Sequence, residues 1–218
     1  MISKNSQMPN YQQEGYASSV RWTTKTQDAR PGSGQDRVLM RPRGDHTLMA
    51  VVDGAGGVAG GRAAAEIVCN KLDQADQDKT YDWIACLEDI DHSLVGTGQA
   101  AALVAVIGND GSVRGASVGD CEAWSFGSDH ILELTASQVR KPLLGDGSAV
   151  PIGFEGNIER VLLAATDGLW KYAKRQHVAE LVRAPPIEKA SEALVDGIRL
   201  KSGSLQDDVA IAIIEYHG

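Results

Sequence analysis

Helical patterns arrive in pairs along this chain, and each pair stands between runs of strand-like segments. That order limits the fold more than any other feature. Ala64, Ile67, Val68 and Leu72 recur at helical spacing within 61–73, as do Trp83, Ile84, Leu87, Ile90 and Leu94 within 81–95. A second pair is expected over 173–183 and 186–201, broken by Pro185-Pro186. Strands are expected at 17–23, 37–41 and 47–53 before the first pair. Between the pairs come 101–108, 112–119, 121–127, 130–135 and 159–168, with Asn109-Asp110-Gly111 as a hairpin turn. The last strand is 208–216. The segment 26–34 reads as a loop, and 136–156 shows little periodicity.

A doubly wound sheet would alternate strands and helices one by one. The observed order predicts an α+β fold instead: a four-layer α-β-β-α sandwich of two antiparallel sheets flanked by helix pairs. The 218 residues suffice for one domain with a real core. That domain is expected over 17–218, behind a flexible polar tail at 1–16 that does not have the form of a signal peptide. No segment approaches the roughly 18 apolar residues of a membrane span. A net charge of −8 disfavours a nucleic-acid partner, which calls for a basic face. Cys69, Cys86 and Cys121 show no metal-binding spacing, and an odd number of cysteines fits a reducing cytoplasm.

Two apolar strands run into Asp-Gly: Asp53-Gly54 after LMAVV and Asp167-Gly168 after LLAAT. Asp120 follows Ser117-Val118-Gly119, and Asp207 precedes the last strand with Asp208 beside it. A carboxylate at the end of a buried strand is costly unless something compensates its charge. Hard divalent cations with oxygen ligands, Mg²⁺ or Mn²⁺, do so, and a bridged pair of them suits phosphoryl transfer. Asp-Gly is also a common turn, and spacing alone leaves open whether the four aspartates converge. The glycine-rich GAGGVAGG (54–61) lacks the Lys-Ser/Thr of a P-loop and reads as a close-packed helix entry.

Taken in order, VVDGAGG (51–57), SVGDCEAW (117–124), AATDGLW (164–170) and DDVAIAII (207–214) resemble the conserved blocks of the type 2C metal-dependent serine/threonine protein phosphatases. GQDR (34–37), GTGQAAALVAVI (96–107) and LELTASQ (132–138) resemble the intervening blocks, so the resemblance spans nearly the whole chain. It implies the same α-β-β-α sandwich, with a two-metal centre between the sheets. Asp53 would bridge both ions, the Gly54 carbonyl would bind one, and Asp167 and Asp207 would complete the pair. Asp120 would serve a third, weaker ion, and Asp36 would hold a water of the metal centre.

Several positions depart from the family pattern. Ala55 stands where a histidine is frequent, and Gln35 replaces one carboxylate of the early acidic pair. Pro31 occupies the place of the phosphate-binding arginine, which leaves Arg30 beside it as the candidate for that role. Ser137-Gln138 replaces Asp-His, Asp208 and Ala210 stand where Asn and Thr or Ser are common, and the flap segment between Asp120 and Asp167 is short. The resemblance implies a cytoplasmic, monomeric, bacterial-type signalling enzyme that uses Mn²⁺ or Mg²⁺. It would hydrolyse phosphoserine and phosphothreonine in protein substrates with a metal-activated water, opposite a serine/threonine kinase. A non-catalytic binding or regulatory module on the same fold, and a phosphomonoesterase for small metabolites, are the alternatives.

Overall fold

The computed structural model describes residues 11–17, 19–55, 58–75, 82–184 and 186–218. In chain order these form β1 (Gln12–Ala17), β2 (Val20–Gln27), β3 (Arg37–Arg43), β4 (His46–Ala55), α1 (Val58–Gln74), α2 (Trp83–Leu94), β5 (Gln99–Gly108) and β6 (Ser112–Val118). There follow β7 (Glu122–Phe126), β8 (Ile131–Glu133), β9 (Ile152–Asn157), β10 (Val161–Ala165), α3 (Asp167–Trp170), α4 (Arg175–Arg183), α5 (Ile187–Gly197) and β11 (Val209–Tyr216). One sheet has six strands in the order β1-β2-β11-β10-β7-β8, and the other has five in the order β3-β4-β5-β6-β9. Every strand pairing is antiparallel. No helix among the described residues is long and apolar enough to cross a membrane.

Three stacked cores make the four layers. Alternate residues of a strand face opposite sides of its sheet, and β4 divides accordingly. Leu48, Ala50 and Val52 pack with Ala64, Val68 and Leu72 of α1 and Leu87 and Ile90 of α2. Met49 and Val51 face the other sheet and meet Ala212 and Ile214 of β11. On β11 itself, Val209, Ile211 and Ile213 turn outward onto Val178 of α4 and Leu194 of α5. Each helix pair therefore covers one outer face, as the order of elements predicts. The start of α2 is capped by Asp82, whose carboxylate accepts from the Ala85 N–H at 3.1 Å.

Two strands lie where none was expected. Gln12–Ala17, within the expected tail, is the edge strand β1, while residues 1–10 lie outside the described residues. β1 is polar, and its pairing rests on the backbone ladder to β2. Trp22 lies across the strand so close over Gly15 that a Cβ there would overlap the indole, and Gln12 Nε2 donates to the Glu188 carbonyl at 3.0 Å. Ile152–Asn157, in the stretch without periodicity, is β9, at the far edge of the five-stranded sheet. Only Phe154 of β9 is buried, so an edge strand with two glycines leaves no alternating apolar signal. At the helix ends, Tyr81 and Pro185 lie outside the described residues.

The short segment after β8 is held down by one carboxylate. Asp91 of α2, buried at 2% exposure, accepts from the backbone N–H groups of Gly145 at 2.7 Å, Gly147 at 3.0 Å and Ala149 at 3.0 Å. Leu144 is fully buried against α2 and makes a backbone bridge to Ala100. The segment in the flap's position is thus a fixed loop on the five-stranded sheet's helix layer.

Candidate metal centre

The acidic residues meet at one end of the cleft between the sheets. Asp53 continues the face of Met49 and Val51, so it points between the sheets just where β4 ends. Asp167 is the first residue of α3, directly after β10, and Asp120 lies in the turn between β6 and β7. Asp53, Asp120 and Asp167 each offer a carboxylate oxygen within 4.8 Å of the others, and Asp167 is buried. Asp207 stands just before β11, half exposed, and is joined to Asp167 through Lys171. The Nζ of Lys171 contacts the Asp167 carboxylate directly and lies 3.7 Å from Asp207 Oδ2.

The glycines of the site are places of close approach. A Cβ on Gly54 would overlap the carbonyl of Gly61, and one on Gly61 would overlap Gly54 and the side chain of Gln35. The first turns of α1 therefore rest on the backbone at the end of β4, the close packing that 54–61 suggested. Gly56 and Gly57 within that run lie outside the described residues. A Cβ on Gly168 would overlap the carbonyl of Asp208, so α3 can start against β11 only with glycine there.

Asp36 lies beneath the cluster at 7% exposure. Its carboxyl is in hydrogen-bond contact with Asp53 and with the Thr166 hydroxyl, yet its Oδ2 has no protein partner. Burial first, and then the charge of Asp53, pushes the Asp36 carboxyl well above the usual range. Asp53 is pushed up to about 7, chiefly by burial, then by Asp167, Asp120 and Asp207. Asp120 and Asp207 are raised as well, each by burial and then by Asp167, with Lys171 opposing. Burial works against the charge on Lys171, but Asp167, Asp207 and Asp120 outweigh it and hold the amine above its usual range. The carboxylate shifts share two causes, burial first and then several carboxylates crowded with too little positive charge.

That crowding tests whether a metal fits. The donors are all hard oxygens, three of them mutually within reach of one ion. A buried carboxylate oxygen without a partner is expensive, and Asp36 Oδ2 is one, on a side chain in contact with Asp53 of the cluster. Both features are the ones a divalent cation and its waters would satisfy, so the residues fit Mg²⁺ or Mn²⁺.

Several residues support the site in ways the sequence did not assign to them. Asp208 accepts from Ala29 N–H at 2.8 Å and Gln35 N–H at 2.9 Å, and so ties the β2–β3 loop to the start of β11. Arg30 rides on that loop with its side chain in solvent. Thr166 joins two sides of the site, since its hydroxyl also accepts from Ala210 N–H at 2.9 Å. Trp170 of α3 stacks on Trp124 of β7 with ring centroids 4.8 Å apart and planes at 17°, and Arg175 lies 4.2 Å over the Trp124 ring. This stack fixes α3, and with it Asp167, against the strand that follows Asp120. The relation of Lys171 to Asp167 had no readable signal, because 159–168 reads as a strand and the four-residue spacing matters only once α3 is formed.

No protein-family model matches the chain, and no curated protein matches it in sequence. Solved structures match along nearly its whole length. A bacterial serine phosphatase superposes with a TM-score of 0.74 at 18% identity, covering 96% of this chain and 98% of that one. RsbX, solved in complex with magnesium, gives 0.78 at 14% identity over 94% of this chain and 100% of its own. The Mycobacterium tuberculosis serine/threonine phosphatase PstP/Ppp gives 0.75 at 16% identity over 92% and 100%. At such identities the likeness is one of architecture. The chain has the fold of the bacterial type 2C serine/threonine phosphatases, with an acidic cluster at the end of the cleft between its sheets.

Proposed function

We propose that the protein is a metal-dependent phosphatase of phosphoserine and phosphothreonine residues in proteins. The observation that carries this reading is the convergence of Asp53, Asp120 and Asp167 within 4.8 Å, from three separated chain segments. The fold, shared with serine/threonine phosphatases over more than nine-tenths of the chain, supports the substrate class. Bound divalent ions would neutralise the phosphoryl oxygens and lower the pKa of a water for in-line attack on phosphorus.

The chain's own part is to hold and orient. Asp53, Asp120 and Asp167 supply oxygen ligands, with Asp207 and the Gly54 carbonyl at the margins of the same site. Asp36 orients Asp53 through their shared hydrogen bond, and its free oxygen can hold a water of the site. Arg30 is our candidate for gripping the phosphate, since its loop is anchored to the site by Asp208. Ala55 brings no proton donor, so the leaving alkoxide takes its proton from solvent. The short loop pinned by Asp91 leaves the site open, which favours a protein surface over a small enclosed metabolite. We further propose a monomer in the cytoplasm, working against a serine/threonine kinase.

The test is hydrolysis of p-nitrophenyl phosphate and of a phosphopeptide panel with Mn²⁺, with Mg²⁺ and with EDTA. Asp53→Asn should remove nearly all metal-dependent turnover; full activity in that variant would sink the metal-centre assignment. A wild-type protein that binds Mn²⁺ but hydrolyses nothing would be a non-catalytic binding module. Preference for sugar phosphates over phosphopeptides would make it a metabolite phosphatase.

A further inference from the structure

Lys171 puts a positive charge between Asp167 and Asp207, two of the carboxylates that would hold ions. It is the residue after α3, four positions from Asp167, and helical side chains at that spacing lie on one face. Its chain folds back over one turn, so the ammonium meets Asp167 and lies 3.7 Å from Asp207, with Asp120 also within reach of its charge. Asp167 therefore serves two neighbours at once. One is the pair Asp53 and Asp120, the other is the lysine that caps its own helix.

Charge counting gives this arrangement a consequence. Asp53, Asp120, Asp167 and Asp207 carry four formal negative charges when ionised. Two divalent ions would balance them, and two divalent ions plus a fixed ammonium would overfill them. An ammonium is a compact point charge with three donors, the side chain that most nearly imitates a bound cation. The Lys171 side chain is also 49% exposed, so it can leave its place for solvent without disturbing the core.

We infer that Lys171 is a tethered cation standing in for one divalent ion on the Asp167–Asp207 side of the centre. The chain then holds one ion readily among Asp53, Asp120 and Asp167, and takes a second only by displacing its own lysine. This rests on the metal-centre reading above and adds what that reading lacks, a residue that sets how many ions bind. An ordinary surface ion pair at this position would stabilise α3 slightly and leave metal binding alone.

The experiment is Mn²⁺ titration of the full chain by calorimetry, with the spin-coupled signal of paired Mn²⁺ followed by electron paramagnetic resonance. Wild-type protein should bind one ion tightly and show the coupled signal only at high Mn²⁺. Lys171→Met and Lys171→Gln should bind the second ion up to about fivefold more tightly, the upper end for losing one competing half-exposed ion pair. Lys171→Arg keeps the charge and should behave as wild type, which separates charge from packing. Circular dichroism of each variant confirms that the half-exposed position tolerates the change. Equal affinity and stoichiometry in wild type, Lys171→Met and Lys171→Gln would overturn the inference while leaving the metal centre intact. Absence of Mn²⁺ binding in all of them, including a control Asp53→Asn, would overturn both.

Discussion

The carboxyls of Asp36, just before β3, and Asp53, near the end of β4, are in hydrogen-bond contact at the foot of the cleft, with Asp36 buried and Asp53 partly so. Two carboxyls in such contact cannot both be ionised cheaply, and burial lifts Asp53 to about 7 and Asp36 well above its ordinary value. The unfolded chain has no such contact. Between the ordinary Asp53 value of 3.8 and about 7 the folded protein therefore binds more protons than the unfolded one. Stability of the metal-free protein must fall as pH rises through that window.

Thermal unfolding in EDTA is the measurement. The melting temperature should drop by several degrees between pH 5.5 and pH 8. Saturating Mn²⁺ should remove that drop, because an ion needs its ligands deprotonated and binds more tightly as pH rises. A metal-free melting temperature that climbs over the same range would contradict the burial of the Asp36–Asp53 pair.

Asp36→Asn separates stability from function. The amide keeps the shape and cannot ionise, so the metal-free variant should lose less melting temperature than wild type as pH rises. It also loses the free carboxylate oxygen at the cluster, so metal-dependent turnover should fall by about tenfold to a hundredfold, as for other groups that support metal ligands. A variant with the wild-type pH dependence and full activity would refute this account of Asp36.

Asp91→Ala tests the pinned loop. It strands three backbone N–H groups that Asp91 now satisfies. The expected loss is about 3 kcal/mol, moderated by water entering the gap. Hydrogen exchange should lose protection first at Gly145, Gly147 and Ala149, before the sheets are affected. Unchanged exchange there would show that Leu144 alone anchors the loop.

Gly168→Ala adds one methyl group where the Asp208 carbonyl already stands. Backbone cannot rotate away as a side chain can, so α3 must shift from β11. Overpacking of this kind costs about 1 to 3 kcal/mol, and Mn²⁺ affinity should fall with it because Asp167 begins the shifted helix. A structure of the variant in which Asp167 and Asp208 keep their places would disprove the close-approach argument.

The layers were legible because they rest on periodicity. β4 alternates between two cores residue by residue, and the helix pairs carry single apolar faces. β1 and β9 were not legible, since edge strands are held by backbone pairing and need few buried side chains. The aspartates at the strand ends were legible as types and positions. In the structure Asp120 joins Asp53 and Asp167 at short range, and Asp207 is linked to Asp167 through Lys171.

Local pattern thus determined which residues form strands and helices, which faces are apolar, and that charged residues stand where apolar strands stop. Those properties follow from neighbours along the chain. Only the tertiary structure decided that Asp36 lies under Asp53 with an unpaired oxygen, that Asp91 clamps a loop more than fifty positions away, and that Lys171 sits between Asp167 and Asp207. Each of these depends on segments distant in sequence meeting at a few ångströms, and the charge balance that controls a metal centre is set at that range.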